Sequence, residues 1–325
     1  MTLSLSIVVP CYNEEAVLPE TLRRLCGLLQ RLREAGRIDE SSRVFFVDDG
    51  SRDHTWSLIE AAVDRGEPVV GVKLSRNRGH QNALLAGLQC ADGDAIVSID
   101  ADLQDDVEAI ERMLVEFERG AEVVYGVRSS RETDTRFKRS SANVFYRVMR
   151  FMGAETIDNH ADFRLMSRRA IECLLQYREV NLYLRGIIPL LGFKTAIVTY
   201  ERAARFAGES KYPLRKMLAL SFDALTSFST IPLRLITIVG LFVSLMSALF
   251  ATWILFGSML GAPVVPGWAS TVLPVYFLGG VQLLGIGIIG EYIGKMYLEV
   301  KARPRYFIER VARNQIGAEK VNPDN

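Results

Sequence analysis

The sequence predicts an α/β protein, a mostly parallel sheet flanked by helices, followed by a membrane-embedded helical segment. Two observations predict it. Up to Val127, short runs of β-branched and aromatic residues alternate with stretches of helical leucine spacing, the pattern of a parallel sheet covered on both faces. Further on, from Leu235 to Gly290, there is no Asp, Glu, Lys, Arg or His, whereas one membrane span needs only about 20 apolar residues.

Ser6-Ile7-Val8-Val9-Pro10 reads as a buried strand ended by proline. Leu18, Leu22, Leu25, Leu28, Leu29 and Leu32 then recur on one helical face. Asn13 is expected to cap that helix, with Glu14 and Glu15 favourable near its start. A second strand, Val44–Val47, ends in Asp48-Asp49-Gly50-Ser51 and opens a helix over Ser57–Val63. Val69–Leu74 is a third strand, and Asn77-Arg78-Gly79-His80-Gln81 leads into a helix over Ala83–Leu88. The fourth strand, Ala95–Ile99, stops in Asp100-Ala101-Asp102-Leu103-Gln104-Asp105. A helix over Val107–Phe117, which Asp105 and Asp106 are expected to cap, precedes a fifth strand over Glu122–Val127.

In parallel sheets ligands bind beyond the carboxyl ends of the strands. Tyr12–Glu14, Asp48-Asp49, Asn77–Gln81, Asp100–Asp105 and Gly126–Arg128 are therefore expected along one edge. Carboxylates gathered there must face water, a metal or a cationic partner. Asp100 and Asp102 are one residue apart, so a bend aims both at one hard cation, and Gln104 adds an oxygen. Mg²⁺ or Mn²⁺ held by few carboxylates completes its shell with water and substrate phosphates, which points to a diphosphate-bearing substrate. Arg128 suits bidentate phosphate binding. Arg131, Arg136, Lys138 and Arg139 continue a basic run that serves either as a solvated helix face at a membrane surface or as substrate contacts. Arg202, Arg205, Ser210 and Lys211 form a polar loop able to close over a diphosphate, with Gly208 as its hinge.

A net charge of +1 argues against a nucleic-acid partner. The four cysteines, Cys11, Cys26, Cys90 and Cys173, form no C-x-x-C pair, so neither a disulfide framework nor a zinc site is expected. Met1-Thr2-Leu3-Ser4 lacks a basic n-region, so no signal peptide is expected.

The expected organisation is a catalytic domain over 1–211, amphipathic juxtamembrane helices over 212–232, two spans within 233–294 (about 235–260 and 271–292) and a basic tail over 295–325. The turn between the spans holds no Lys or Arg, whereas Arg215, Lys216 and Arg234 precede the hairpin and Lys295, Lys301, Arg303, Arg305, Arg310 and Arg313 follow it. The positive-inside rule then puts both termini in the cytoplasm. No ionisable residue lies inside either span, which argues against a transport pathway.

Val8-Val9-Pro10-Cys11-Tyr12-Asn13-Glu14-Glu15, the Asp48-Asp49-Gly50-Ser51 turn and the Asp100–Asp105 run resemble the family 2 glycosyltransferases of the GT-A (Rossmann-like) fold. Asp162-Phe163-Arg164-Leu165-Met166, Gly208-Glu209-Ser210-Lys211-Tyr212 and Gly290-Glu291-Tyr292-Ile293-Gly294 narrow the resemblance to the polyisoprenyl-phosphate branch, with the bactoprenol glucosyltransferases and dolichol-phosphate mannose synthase. The processive-synthase signature Gln-x-x-Arg-Trp is missing, which disfavours a polymerase.

The resemblance implies inverting transfer of one hexose, glucose from UDP-glucose, to undecaprenyl or another polyprenyl phosphate at the inner membrane of a bacterium. UDP-N-acetylhexosamine, UDP-galactose or an aminoarabinose-type donor is the alternative, and a non-catalytic membrane scaffold is the reading from a different class. By the same resemblance Asp102, Gln104 and Asp100 hold the Mg²⁺ or Mn²⁺. Pro10, Tyr12, Glu14, Asp48, Asp100, Arg205, Ser210 and Lys211 meet the nucleotide sugar, and Arg128, Arg131 and Arg139 meet the lipid phosphate. Asp162 sits near the acceptor, as a general base or as a group that orients an arginine or the sugar; Asp158 is a rival carboxylate, and His160 is expected as a structural loop residue. A homo-oligomer, a tetramer among the options, is also implied.

Overall fold

The computed structural model describes residues 2–129, 160–179, 184–201, 231–259 and 268–314. The chain divides into two compact units: Met1–Tyr146 with Glu155–Tyr212 and Arg303–Asn325, and Arg147–Ala154 with Pro213–Ala302.

The first unit is built on an eight-stranded sheet. Its strands are β1 (Leu5–Cys11), β2 (Arg43–Asp48), β3 (Val69–Leu74), β4 (Ala95–Ser98), β5 (Val123–Arg128), β6 (His160–Ser167), β7 (Thr195–Tyr200) and β8 (Ile308–Arg313). They lie in the order β7-β5-β6-β4-β1-β2-β3-β8. β1 is buried along its whole length between β2 and β4, parallel to both. That is why its sequence is an unbroken apolar run rather than an alternation. The intervening helices are α1 (Leu18–Glu34), α2 (Thr55–Asp64), α3 (His80–Cys90), α4 (Ala109–Glu118), α5 (Arg168–Leu174) and α6 (Leu184–Leu190). The leucine face of α1, Leu18, Leu22, Leu25, Leu28, Leu29 and Leu32, is buried in one core with Ile7, Val9, Val44, Phe46 and Val97. Truncating one such leucine to alanine would cost about 2–5 kcal/mol.

Asn13 does not cap α1. The helix starts at Leu18 with Val17 before it and no side-chain cap. Asn13 instead adopts a left-handed φ of 55°, and its side-chain oxygen accepts from the Arg52 N–H at 2.9 Å, tying the β1–α1 loop to the β2–α2 loop.

The sheet is mixed rather than wholly parallel. β6 inserts antiparallel between β4 and β5, and β8 closes the β3 edge antiparallel. The position of β6 matters for the site. An antiparallel strand begins where its parallel neighbours end, so His160–Asp162 arrive at the edge reached by the ends of β4 and β5. His160 is thus the first residue of a strand, paired with Val127, and not a loop residue. β8, within the stretch expected as a basic tail, is held by the Lys73–Glu309, Arg310–Glu60 and Arg313–Asp92 ion pairs.

The second unit contains α7 (Ile231–Met259) and α8 (Trp268–Val300). A methyl group on Gly285 of α8 would lie 3.4 Å from Ile236 of α7, so the two helices pack closely there. Many of their large apolar side chains are exposed, among them Leu241, Phe242, Trp253, Phe277 and Leu283. Among the described residues one stretch, Phe277–Val300, is long and apolar enough by length and composition to cross a membrane, with a mean hydropathy of 1.4. Residues 212–230 lie outside the described residues.

Candidate active site

The C-terminal ends of β1, β2, β4, β5 and β7 and the start of β6 meet at one edge of the sheet. On the β1–β3 side the loops are laced together. The Asn13 N–H donates to Ser51 Oγ at 3.0 Å, and the Glu14 N–H donates to Thr55 Oγ1 at 2.9 Å. Asp49 accepts from the N–H groups of Arg78 and Gly79 at 2.6 and 2.8 Å, so the Asp48–Ser51 turn holds the Asn77–Gln81 loop. Gly50 makes that approach possible. Its φ is 69°, and a Cβ there would lie 2.6 Å from the Asn77 nitrogen, a position only glycine fills without strain.

Along this edge Pro10 is buried in β1, Tyr12 is 41% exposed and Glu14 is half-buried. Asp48 is fully buried; its Oδ1 accepts from the Ser51 N–H at 3.1 Å, and its Oδ2 has no hydrogen-bond partner among the described residues. Burial raises its pKa. Such a carboxylate oxygen suits a hydroxyl or amide donor from a ligand.

The Asp100–Asp105 run turns sharply, with Leu103 at φ 56°, and is pinned to α1 by Thr21 Oγ1, which donates to the Ala101 carbonyl at 2.9 Å. Asp102 Oδ1 accepts from the Gln104 N–H at 3.2 Å. Asp100 Oδ1 is buried with no hydrogen bond; His80 Nε2 stands 3.5 Å from it. Burial, reinforced by the neighbouring carboxylates Asp105, Asp162 and Asp102 against the pull of His80, raises Asp100 to about 6. An open Oδ1 beside half-buried Asp102 and Gln104 is an oxygen set suited to a hard cation. Among the described residues no group of three or more His, Cys, Asp and Glu side chains comes together as a metal site.

Asp105 is not a helix cap. It is 3% exposed, accepts from the Tyr200 hydroxyl, and pairs with Arg128 Nη2 at 3.3 Å. Arg128 Nε donates to the same Tyr200 hydroxyl at 3.3 Å. Burial works against the Arg128 charge, but Asp105 and Tyr200 outweigh it and raise its pKa. The guanidinium is thereby anchored on one side while its side chain stays 27% exposed. Asp106 does serve the next helix, accepting from the Glu108 N–H at 3.0 Å.

On β6, Asp162 is gripped by two guanidiniums and faces an imidazole. Arg164, wholly buried, donates to it. Arg185, from α6, donates through Nε to Oδ1 at 3.2 Å and through Nη2 to Oδ2 at 3.1 Å. His80 Nε2 lies 3.6 Å from Oδ2. Burial alone would raise this carboxyl, but His80, Arg164 and Arg185 hold it well below the usual range. Arg131, Arg139, Arg205, Ser210, Lys211, Asp158, Arg136, Lys138 and Arg202 lie outside the described residues.

The edge thus carries buried acids on one side and anchored arginines on the other. The profile of glycosyl transferase family 2 fits residues 6–175. The chain belongs to that family. This family 2 glycosyltransferase is 51% identical over 307 residues to the uncharacterised glycosyltransferase YkoT of Bacillus subtilis, covering 94% of this chain and 91% of that one. It is 41% identical over 315 residues to the SfII prophage-derived bactoprenol glucosyl transferase of Shigella flexneri, covering 96% and 99% of the two chains. Among solved structures, mannosyl-3-phosphoglycerate synthase from Rubrobacter xylanophilus matches 69% of this chain and 72% of its own at 17% identity and a TM-score of 0.47. From the sequence, Asp105 reads as a helix cap, Arg164 stands only inside the Asp162–Met166 motif, His80 falls within the Asn77–Gln81 stretch expected along the edge, and nothing singles out Tyr200 or Arg185. Asp105, Tyr200, His80 and Arg185 act through partners distant in the chain, which no local spacing signals, whereas Arg164 donates to Asp162 two residues away.

Proposed function

We propose that this glycosyltransferase moves a single hexose, glucose from UDP-glucose, onto the phosphate of undecaprenyl or another polyprenyl phosphate at the cytoplasmic face of a bacterial plasma membrane. The observation that carries the reading is the meeting, on one sheet edge, of buried acids whose oxygens lack a hydrogen bond (Asp48, Asp100) and a half-buried guanidinium anchored from behind (Arg128). Full-length similarity to a bactoprenol glucosyl transferase supports the acceptor. The exposed apolar side chains of α7 and α8 and the charge-free stretch from Leu235 to Gly290 support a two-helix membrane hairpin with both termini cytoplasmic. Glycines along α8, including Gly279, Gly280 and Gly287, favour close helix packing and a homo-oligomer.

In this reading Tyr12, Glu14 and Asp48 receive the nucleoside, and Asp102, Gln104 and Asp100 hold Mg²⁺ or Mn²⁺. The buried Asp100 oxygen without a hydrogen bond and its raised pKa fit such a cation. When bound, the ion supplies Lewis-acid charge for the departing diphosphate. Arg128 and the basic residues Arg131, Arg139, Arg205 and Lys211, with Ser210, orient the phosphates. The acceptor phosphate carries about −1.5 to −2 charge near neutral pH, so its oxygen needs no deprotonation. That oxygen bonds to the sugar C1 as the C1–O bond to the diphosphate breaks, inverting the anomeric centre. Asp162, kept ionised by its cationic neighbours, is a poor base, and its part is to position them.

The test is direct. Purified protein in detergent is given Mg²⁺, undecaprenyl phosphate and a panel of labelled nucleotide sugars. Label from UDP-glucose entering the lipid fraction is expected; a different preferred donor corrects the sugar, and no transfer from any donor refutes the reading.

A further inference from the structure

The β3–β8 ladder changes register once. Lys73 pairs with Arg310 and Leu74 with Ile308, so Glu309 is the extra residue of a β-bulge. Bulges re-aim side chains, and here the Glu309 carboxylate stands 3.2 Å from Lys73 Nζ. Among the described residues that is the one ion pair Lys73 makes. Its ammonium also lies 5.7 Å from the centre of the Trp56 ring. Arg310, opposite Lys73 in the ladder, is engaged by Glu60 at 2.6 Å.

On its other side Lys73 has a second carboxylate. In the parallel β2–β3 pair it stands in register with Asp48, on strands about 4.8 Å apart, so both side chains leave the same face of the sheet. Burial raises the Asp48 carboxyl, and hydrogen bonding from Ser51 and then the Lys73 charge pull against it. Yet no ion pair joins the two among the described residues, and Asp48 Oδ2 is buried without a hydrogen bond. Asp48 is 0% exposed, whereas the Glu309 side chain is 49% exposed. Pairing with Asp48 would draw the ammonium out of water, a cost that the Glu309 carboxylate does not impose. Glu309 thus offers Lys73 a partner at the surface, and the buried acid beside it stays open.

We propose that Glu309 is a positioning residue of the nucleotide site: by holding Lys73 it keeps the ammonium off Asp48, whose unpartnered oxygen then accepts from an N–H or O–H donor of the nucleoside. The assignment rests on the nucleotide-sugar reading above, in which Asp48 receives the nucleoside. It makes β8, the last strand of the chain, part of donor recognition.

Isothermal titration of the full-length protein in detergent with Mg²⁺ and UDP tests this, on wild type, Glu309→Gln, Lys73→Met and the double variant Glu309→Gln/Lys73→Met. In Glu309→Gln the released lysine competes for Asp48, and UDP should bind about three- to fivefold more weakly, the scale of one partly exposed charge pair. With the lysine also removed nothing competes, so the double variant and Lys73→Met should both stay within about twofold of wild type. Recovery on a second substitution is a result that a merely structural loss at Glu309 does not produce. UDP binding by Glu309→Gln within about twofold of wild type overturns the proposal. A double variant that binds no tighter than Glu309→Gln overturns it too, because the loss then does not pass through Lys73. Glu309→Thr, with a side chain suited to strands, decides by the same criteria if the glutamine variant does not fold. If wild type transfers no sugar to polyprenyl phosphate yet binds UDP with the expected pattern, the acceptor reading fails and Glu309 stands. Wild type that does not bind UDP overturns both.

Discussion

The carboxylate at the end of β4 and the one at the start of β6 face the same imidazole, yet their surroundings tune them in opposite directions. Asp100 has an open, buried oxygen and acidic neighbours, and its pKa rises to about 6. Asp162, 6% exposed, has two guanidiniums on it and is held well below the usual range. Burial penalises both charges; what differs is whether a cation is already supplied. Asp162 has its guanidiniums built into the fold, whereas Asp100 has only the His80 imidazole 3.5 Å from a buried oxygen that makes no hydrogen bond. In the proposed function, the contrast separates a carboxylate that positions arginines from one that meets an arriving cation.

The largest expected effect comes from breaking the binding side. Asp102→Ala should lower the rate of sugar transfer by about a thousandfold, the scale of losing a charge-stabilising group at a reacting centre, with the unfolding midpoint near that of wild type. Steady-state transfer with a thermal scan on the same preparation checks it. Breaking the structural side should show first in stability. Asp162→Asn leaves Arg164 buried without its compensating charge, a loss of about 3–5 kcal/mol, read from denaturant unfolding. Asp162→Asn transferring sugar at wild-type rate with wild-type stability would dissolve the contrast.

Tyr200→Phe sharpens the comparison at the second anchored arginine. It removes the hydroxyl that Asp105 accepts from and Arg128 donates to, leaving Asp105 short of a donor. About 1–3 kcal/mol of stability and a raised KM for the polyprenyl phosphate, with kcat less affected, are expected. A changed kcat at constant KM would place Tyr200 in the chemical step instead.

The smallest effect concerns pH. The folded pKa of Asp100 lies above its unfolded value, so its ionised form costs stability as pH rises through about 6. Without metal, Asp100→Asn should therefore raise the melting temperature at about pH 8 and lose that advantage by about pH 4, where the unfolded carboxyl is largely protonated too. An advantage of equal size at both pH values would mean that Asp100 is not strained by its charge.

Much of the fold was legible because local patterns carry it. The leucine face of α1, the apolar run of β1 and the acids past β2 and β4 all follow from periodicity and from polar turns. β6 was not legible as a strand. Its residues alternate polar and apolar from His160 to Leu165, but it buries Arg164 as fully as Phe163 and Leu165, so both of its faces are covered, which a pattern with charges on one face does not signal. β8 hid for the opposite reason: Glu309, Arg310 and Arg313 make an edge strand read as a basic tail. In the site, the Asp100–Asp102 pair was visible from its spacing together with its place past the end of a strand, among the other strand ends. The partners of Asp105 lie 23 residues away at Arg128 and 95 away at Tyr200, and Arg185 lies 23 residues from Asp162. Those pairings are set by strand order, which an inserted antiparallel strand made unreadable.

The most direct measurement is Mn²⁺ binding, followed by electron paramagnetic resonance in the presence of UDP, for wild type, Asp102→Asn and Asp162→Asn at a temperature where all three are folded. Immobilised Mn²⁺ in wild type and in Asp162→Asn, and its loss in Asp102→Asn, is the expected result. Equal binding by Asp102→Asn, or loss confined to Asp162→Asn, would contradict the division between the two carboxylates.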